Sequence, residues 1–371
     1  MNPWSARRGV VSAGLPDFPW DLLEPAKARA EEHPGGLVDL SIGTPVDPVP
    51  LVVREALAAC SDAPGYPLTA GTPALRAAIL SYLASVSGAY VPDGGVLPTI
   101  GSKELVAWLP TLLGLGPGDT VVVPSVCYPT YEVGARLAGA TVARSDSLLS
   151  LGPAPVALVW VNSPGNPHGR VLPAEHLRKV VSWARDRGAV VVSDECYLEL
   201  GWDATPVSVL SPSVCGDSLD RVLAVHSLSK RSNLAGYRAG FVAGDPALVG
   251  ELLAVRKHAG MMVPAPVQAA MVAALGDQSH VDEQRSRYRT RRDLLRPALV
   301  QAGFTIDHSE AGLYLWATRG EDSWSTVDWL AARGVLAAPG AFYGPAGRRH
   351  VRLALTATDE RIAAAVARLA D

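Results

Sequence analysis

Several residue patterns that mark metal-binding, disulfide-bonded or membrane proteins are missing from this chain. It has only four cysteines among 371 residues, and no two of them form a C-x-x-C pair. The eight histidines are scattered without the spacing of zinc ligands, so we expect no metal site. No apolar run approaches the roughly eighteen residues of a membrane helix. These absences predict a soluble protein of a reducing compartment, the cytoplasm, with no membrane partner.

The charge balance gives no reason to expect a polyanionic partner. The formal net charge is −3, and arginine pairs such as Arg7–Arg8 are too small to form a binding patch. We therefore expect no nucleic acid as a partner. The sequence also lacks the H-E-x-x-H, G-x-S-x-G and Walker patterns, which excludes several common hydrolase chemistries.

The composition of the sequence changes along the chain, which indicates separate domains. Hydrophobic residues make up 48%, enough for a large core, and the length suggests two or three domains. Residues 1–46 are rich in proline and glycine and are interpreted as an N-terminal arm with part of a small domain. Residues 47–282 are predicted to form a large ligand-binding domain, and residues 283–371 a small C-terminal domain.

Short apolar runs alternate with helical segments between about residues 95 and 245. The predicted strands are Val96–Ile100, Thr120–Pro124, Val156–Val161, Ala189–Ser193, Val222–His226 and Gly240–Gly244. The predicted helices that alternate with them cover about residues 102–114, 129–138, 173–187 and 246–258. Continuous apolar strands separated by helices are typical of a mainly parallel sheet with helices on both faces. The predicted fold class is therefore α/β, with a smaller α+β domain after it.

Lysine is scarce, and one of the five lysines stands in an unusual place. Lys230 follows the predicted buried strand Val222–His226 and is preceded by Ser227 and Ser229. A lysine that is desolvated at a strand end has a depressed pKa and becomes a nucleophile. The best-known use of such an amine is a Schiff base with an aldehyde cofactor, pyridoxal phosphate (PLP). Taken alone, the pattern fits a surface lysine in a serine-rich loop better.

Polar residues follow five successive predicted strands. In open α/β sheets the carboxyl ends of the strands share one edge, and ligands bind there. The residues at these ends are Gly101, Ser102 and Lys103; Tyr128; Asn166; Asp194 and Tyr197; and Ser227, Ser229 and Lys230. So many polar strand ends predict one common ligand site.

One group of these residues suits a phosphate. Gly101 and Ser102 open a predicted helix, whose first N–H groups can bind phosphate, and Lys103 follows them. Arg238, with the two serines that precede Lys230, could complete the cradle by a charge-assisted contact. As the alternative, Ser102 merely caps its helix.

A second group suits the PLP ring. Asp194 can hold a positive charge on the ring nitrogen, which keeps the cofactor an electron sink. Tyr128 offers an aromatic face for stacking, and Asn166 and Tyr197 can hydrogen-bond the ring oxygen. The alternatives are a strand-end cap for Asp194 and loop residues that satisfy their own turns for Asn166 and Tyr197. With Lys230, Asp194 and Tyr197 are the predicted catalytic residues.

At these residues the chain resembles the fold-type I PLP enzymes, specifically the class I/II aminotransferases, over nearly its whole length. The matching segments, in order, are Tyr66–Arg76, Asn166–Gly169, Asp194–Tyr197, Ser227–Lys230, Gly236–Gly240 and Val351–Leu353. The resemblance implies an aminotransferase in which Lys230 holds PLP and moves a proton. It further implies that Arg352 binds the substrate α-carboxylate, with Gly43 and Asn166 beside it.

The resemblance also implies a homodimer. Tyr66 corresponds to a tyrosine that reaches the phosphate in the partner subunit, so we expect two shared sites. Two positions depart from the family pattern. His168 stands where threonine is usual in the loop after Asn166, and Ala341 stands where serine is common.

Three short segments, Leu15–Trp20, Gly43–Pro48 and Gly101–Glu104, resemble the N-succinyldiaminopimelate aminotransferases of lysine biosynthesis. That resemblance implies exchange of an amino group with glutamate and 2-oxoglutarate. Another aminotransferase, a PLP lyase or a Claisen-type synthase on the same scaffold stays open, because the reaction depends on which Cα bond stands perpendicular to the ring. A PLP-binding regulator would need an additional DNA-binding module. We expect none, because the chain length leaves no room for it and the net charge of −3 does not favour DNA binding.

Overall fold

A computed structural model describes residues 14–152 and 155–370 of the chain. Its strands are β1 (Val38–Asp39), β2 (Val96–Ile100), β3 (Thr120–Val123), β4 (Thr141–Arg144), β5 (Leu158–Asn162), β6 (Val190–Asp194), β7 (Val222–Ser227), β8 (Ala239–Gly244), β9 (Thr305–Ile306), β10 (Tyr314–Thr318), β11 (Val335–Leu336), β12 (Ala338–Pro339) and β13 (Val351–Ala354). Its helices are α1 (Glu24–Glu31), α2 (Leu51–Ala59), α3 (Pro73–Ser87), α4 (Gly101–Leu112), α5 (Thr130–Leu137), α6 (Ala174–Asp186), α7 (Pro212–Cys215), α8 (Leu228–Arg231), α9 (Pro246–Ala259), α10 (Ala265–Gly276), α11 (Ser279–Gln301), α12 (Ser323–Ala331) and α13 (Asp359–Leu369). Within these ranges, no helix combines the length and the apolar character needed to cross a membrane.

A sheet of seven strands organises the larger part of the chain, in the order β2-β8-β7-β6-β5-β3-β4. β8 is antiparallel to its neighbours β2 and β7, and the remaining pairs are parallel. The strands β2, β3, β5, β6 and β7 therefore run in one direction, and their carboxyl ends meet at one edge. The predicted α/β class with a mainly parallel sheet is confirmed.

Helices cover both faces of this sheet, and alternate strand residues pack against each layer. Val159 and Val161 of β5 join a hydrophobic cluster with α3, α6 and α10. Leu158 and Trp160 of the same strand join a second cluster with α4, α5 and α9. Because successive side chains of a strand point to opposite faces, a strand buried on both sides must be apolar throughout. That is why the continuous apolar runs predicted these strands.

The last part of the chain forms an antiparallel sheet in the order β12-β13-β10-β9. The N-terminal segment packs with it: β1 pairs in parallel with β11, and Leu23 and Leu40 share a hydrophobic cluster with Leu299 and Leu353. Helix α11 runs unbroken from Ser279 to Gln301 across the predicted boundary at residue 282. The division into three parts stays a prediction.

Candidate active site

A cavity of about 550 Å³ lies at the carboxyl edge of the seven-stranded sheet. Twelve predicted site residues line it: Gly43, Ser102, Lys103, Tyr128, Asn166, Asp194, Tyr197, Ser227, Ser229, Lys230, Arg238 and Arg352. Most follow strand ends of the large sheet, whereas Arg352 comes from β13 of the C-terminal sheet. The two parts of the chain thus contribute to one site.

Lys230 lies in the short helix α8, directly after β7. Its Nζ donates a hydrogen bond to the carbonyl oxygen of Gly43. Burial lowers the pKa of the Lys230 amine, and the positive charges of Arg352 and Arg238 act in the same direction. A lowered pKa raises the fraction of neutral, nucleophilic amine, which is what attack on an aldehyde requires.

Asp194 ends β6, is buried and lines the cavity. Its carboxylate accepts hydrogen bonds from the Tyr131 hydroxyl at 2.7 Å and from the Cys196 N–H at 3.2 Å. Burial raises the pKa of Asp194, and neither of these partners is a cation that would offset the cost of its charge. The site therefore suits a positively charged ring nitrogen opposite this carboxylate.

The sequence pattern did not identify Tyr131 as a partner of Asp194. The Tyr131 ring stacks on Trp160 of β5 with a centroid distance of 4.7 Å, which fixes the direction of its hydroxyl. Burial raises the pKa of Tyr131, so the phenol stays protonated and donates. A tyrosine at the start of a helix after a strand was the available signal, but helical spacing alone does not show what its hydroxyl reaches.

The side of the cavity where α4 begins suits a phosphate. Gly101 opens α4 with φ of +71°, and a Cβ there would lie 2.4 Å from Nη2 of Arg238. Only glycine therefore lets the Arg238 side chain approach the helix N-terminus, although Gly101 itself does not line the cavity. Burial and the charge of Arg238 lower the pKa of Lys103. Two cations and a helix N-terminus are the donor set that an anion needs.

Arg352 also lines the cavity and is 2% exposed. Its Nη1 donates to Oδ1 of Asn166 at 3.0 Å, and its Nη2 donates to the carbonyl oxygen of Ser41 at 2.6 Å. Its Nε is buried and has no partner in the described part of the protein. The guanidinium also lies against the rings of Tyr314 and Tyr343, 4.0 and 5.1 Å from their centroids. A buried guanidinium that lines the cavity, with no carboxylate among these partners, suits a carboxylate ligand.

Several cavity residues were not predicted as site residues. They are Phe18, Trp20, Ile42, Thr44, Val106, Cys196, Ala235, Gly236 and Tyr314. The N-terminal aromatic residues were not predicted at the site, because nothing local in the sequence relates residue 18 to strand ends more than eighty residues later.

Besides Gly101, three residues singled out in the sequence lie outside the cavity: Tyr66, His168 and Ala341. Tyr66 is 95% exposed and does not reach the cavity of its own chain. His168 turns its ring toward His308, with 5.7 Å between the ring centroids, and its Nδ1 accepts a hydrogen bond from the N–H of Arg170. Burial lowers the pKa of His168 to about 4, so the ring is neutral near pH 7.

Together the fold and the site define a PLP-dependent enzyme. A lysine whose pKa is lowered by burial, a buried carboxylate with no cation among its hydrogen-bond partners, an anion cradle and a buried arginine surround one cavity. The chain belongs to the family aminotransferase class I and II, whose sequence model matches residues 36–369. The protein is thus an aminotransferase with PLP as its cofactor, and its predicted class, fold and cofactor are confirmed.

Named relatives agree with this assignment. The chain is 66% identical over 363 residues to a probable aminotransferase of Mycobacterium tuberculosis, covering 98% of this chain and 87% of the relative. It is 63% identical over 355 residues to 4-dedimethylamino-4-oxo-anhydrotetracycline transaminase OxyQ of Streptomyces rimosus, covering 96% and 99%. An LL-diaminopimelate aminotransferase of Dehalococcoides mccartyi is 32% identical, covering 95% and 96%.

Solved structures show the same similarity. An aminotransferase of Neisseria meningitidis superposes with a TM-score of 0.87 at 31% identity, covering 98% of each chain. A probable N-succinyldiaminopimelate aminotransferase of Thermus thermophilus superposes with a TM-score of 0.86 at 28% identity, covering 95% of this chain and 99% of that one.

Proposed function

We propose that this aminotransferase is an N-succinyl-LL-2,6-diaminopimelate:2-oxoglutarate aminotransferase of lysine and diaminopimelate biosynthesis. In the biosynthetic direction glutamate gives its amino group to N-succinyl-2-amino-6-ketopimelate. The two substrates bind in turn to the same cavity, so the kinetics are ping-pong.

The observation that carries this proposal is the position of three short segments. Leu15–Trp20, Gly43–Pro48 and Gly101–Glu104 are the segments that resemble N-succinyldiaminopimelate aminotransferases, and they are far apart in the sequence. Each of them contributes residues to the lining of the one cavity. If the similarity reflected only a shared fold, the matching segments would not be concentrated at the cavity. The structural neighbour in Thermus thermophilus and the LL-diaminopimelate relatives support the same substrate class.

The charges of the lining suit acidic ligands. Four cationic side chains line the cavity, Lys103, Lys230, Arg238 and Arg352, against the single carboxylate of Asp194. The net charge of the whole chain is −3, so the attraction for acidic substrates is local. A phosphate and one or two carboxylates together match this excess of positive charge.

We assign roles to the cavity residues as follows. The amine of Lys230 holds the cofactor aldehyde and, once released, carries the proton between the substrate Cα and the cofactor. Asp194 keeps the ring nitrogen protonated, and the bound PLP then supplies a sink for the electron pair left at Cα. Arg352, held by Asn166, orients the α-carboxylate so that the Cα–H bond faces the Lys230 amine.

We also propose a homodimer in which Tyr66 enters the cavity of the partner subunit. Tyr66 is almost fully exposed in the single chain, which is unusual for a large aromatic side chain. Further exposed hydrophobic residues lie in the same stretch of sequence: Ile42, Val46, Leu51, Val52 and Leu68. Burial of this stretch against a second copy would cover them and would bring the Tyr66 hydroxyl to a phosphate.

The cytoplasm remains our proposed location. All four cysteines, Cys60, Cys127, Cys196 and Cys215, are free thiols. Free thiols persist in a reducing compartment.

A second candidate substrate is a polycyclic ketone of the kind named for OxyQ, because that transaminase is 63% identical over 96% of this chain. The aromatic side chains of Phe18 and Trp20 at the cavity would pack against fused rings. This candidate keeps the cofactor and the amino donor and changes only the acceptor.

Single-turnover assays separate the two candidates. The enzyme loaded with an amino group from glutamate is mixed with N-succinyl-2-amino-6-ketopimelate, with 4-dedimethylamino-4-oxo-anhydrotetracycline, or with pyruvate as a small control acceptor. We expect the succinylated acceptor to be consumed with a kcat/KM at least about tenfold above the others, a preference of about 1.4 kcal/mol. A preference for the polycyclic ketone would replace the lysine-pathway assignment and leave the aminotransferase assignment in place.

A further inference from the structure

Tyr314 is a cavity residue to which neither the sequence motifs nor the proposed roles give a task. It begins β10 in the C-terminal sheet and is 4% exposed. Its hydroxyl oxygen lies 3.1 Å from the hydroxyl oxygen of Tyr197, so one of the two phenols donates to the other. Tyr197 is the residue proposed to reach the ring oxygen of PLP, which makes Tyr314 the next group behind it.

The ring of Tyr314 has a second contact. β10 and β13 pair antiparallel with Trp316 opposite Arg352, so Tyr314 lies two residues from the direct partner, on the same face. Diagonal neighbours of this kind touch when their side chains are large. The Arg352 guanidinium lies over the Tyr314 ring at 4.0 Å from its centroid. Tyr314 therefore contacts both Tyr197, which is proposed to bind the ring oxygen, and Arg352, which is proposed to bind the substrate carboxylate.

Gly43 leaves the space that the hydroxyl group of Tyr314 occupies. A Cβ on Gly43 would lie 2.2 Å from the hydroxyl oxygen of Tyr314, so a side chain there would displace the tyrosine. The carbonyl oxygen of the same Gly43 accepts the hydrogen bond from Lys230. The glycine thus gives the Tyr314 hydroxyl its place beside the nucleophile.

We propose that Tyr314 is a positioning residue that acts on the cofactor through Tyr197 and on the substrate carboxylate through Arg352. A phenol has one proton to donate. If Tyr197 donates its proton to the ring oxygen, the proton between the two phenols must come from Tyr314. Hydrogen bonds in such a chain strengthen each other, so Tyr314 makes Tyr197 the better donor.

This arrangement has a spectroscopic consequence. A hydrogen bond donated to the ring oxygen favours the more anionic of the two protonation states of the bound cofactor, and it lowers the pH at which the visible absorbance titrates. The other titratable groups that face the two tyrosines are Asp194, Cys196, Lys230, Arg352, Tyr128, Tyr288 and Tyr343. The Tyr314 hydroxyl also acts directly on Lys230 and Arg352, so a second background without the Tyr197 hydroxyl is needed to isolate the tyrosine pair.

The test is an absorbance titration of the PLP-loaded enzyme and its Tyr314→Phe variant without substrate. We expect the midpoint of the absorbance titration to rise by about 0.5 pH units. This is the size expected when one neutral hydrogen bond is lost from only one of the two protonation states of the cofactor. The phenylalanine ring still supports Arg352, so KM for glutamate should change by less than about twofold. Tyr314→Leu removes the ring as well and should raise KM for both substrates severalfold.

Two comparisons show whether the hydroxyl acts through Tyr197. In a Tyr197→Phe background, adding Tyr314→Phe should leave the midpoint unchanged, because the intermediary is gone. Tyr82→Phe removes another buried hydroxyl, which donates to Glu199 at 3.0 Å outside the cavity, and should also leave the midpoint unchanged. An unchanged or lowered midpoint in Tyr314→Phe, or an equal rise in both backgrounds, would overturn the proposal.

This inference rests on the proposed placement of PLP at Lys230 and does not depend on the proposed substrate. The titration uses no substrate, so a wrong acceptor leaves its result intact. Loss of the visible band in Lys230→Ala checks the placement of PLP separately. A band that persists in that variant would count against both the placement and the role of Tyr314.

Discussion

Replacement of Arg352 by lysine tests the substrate side of the site. The guanidinium donates to Asn166 and Ser41 and lines the cavity, whereas a lysine has one nitrogen and cannot hold these partners and a carboxylate in a planar fork. The variant keeps the charge and loses about one charge-assisted hydrogen bond, which contributes about 1.5–3 kcal/mol. We therefore expect kcat/KM to fall about 10- to 150-fold.

The loss should be similar in both half-reactions, because glutamate and the keto acid both carry the α-carboxylate. Stopped-flow absorbance of each half-reaction measures it. Arg368→Lys is the matched control, since Arg368 is also buried but donates only to the carbonyl oxygens of Gly35, Gly36 and Gly334. Near-normal kcat/KM in Arg352→Lys, or an equal loss in Arg368→Lys, would refute the assignment of the carboxylate to Arg352.

Asp194, Tyr66 and Glu195 provide three further tests. Asp194→Ala should keep some PLP but lose several orders of magnitude in turnover, because the electron sink fails; near-normal turnover would remove the ring-nitrogen role. A mixed dimer with Tyr66→Phe in one chain and Lys230→Ala in the other should carry both defects in one active site and leave the second site intact. An active monomer in sedimentation would exclude active sites that are shared between subunits. Burial raises the pKa of Glu195 from 4.5 to about 7, so this buried acid stabilises the fold below pH 4.5 and loses that contribution as pH rises through 7. Relative to Glu195→Gln, the free energy of unfolding of the wild type should therefore decline by up to about 3 kcal/mol over this interval in denaturant titrations, and parallel pH profiles would contradict it.

The central strands could be read from the sequence because burial on both faces leaves a clear pattern. β2 was predicted with its observed bounds, and β5 to β8 within two residues. β4 was missed because Thr141–Arg144 is an edge strand with no fully buried residue and so shows no apolar run. Helix α10 was missed as well, because its residues are apolar nearly all round and show no helical periodicity.

The site residues that lie at the ends of the predicted strands could be predicted from the sequence. Asp194 ends one strand of the large sheet, and Asn166 and Lys230 follow two others, so topology alone brings them together. Tyr314 could not be found this way, because it enters the cavity from the C-terminal sheet. Tyr131 was also missed, since its role depends on stacking against Trp160 and not on any local pattern.

The most direct measurement of the central claim is reduction of the purified enzyme with borohydride, followed by mass spectrometry of its peptides. The reagent fixes PLP to the amine that holds it. The chain offers only five lysines, and Lys103 in the same cavity is an internal comparison, since it too has a pKa lowered by burial. We predict the phosphopyridoxyl group on the peptide that contains Lys230 and no visible absorbance band in Lys230→Ala. A label on Lys103, or on any lysine other than Lys230, would contradict the account.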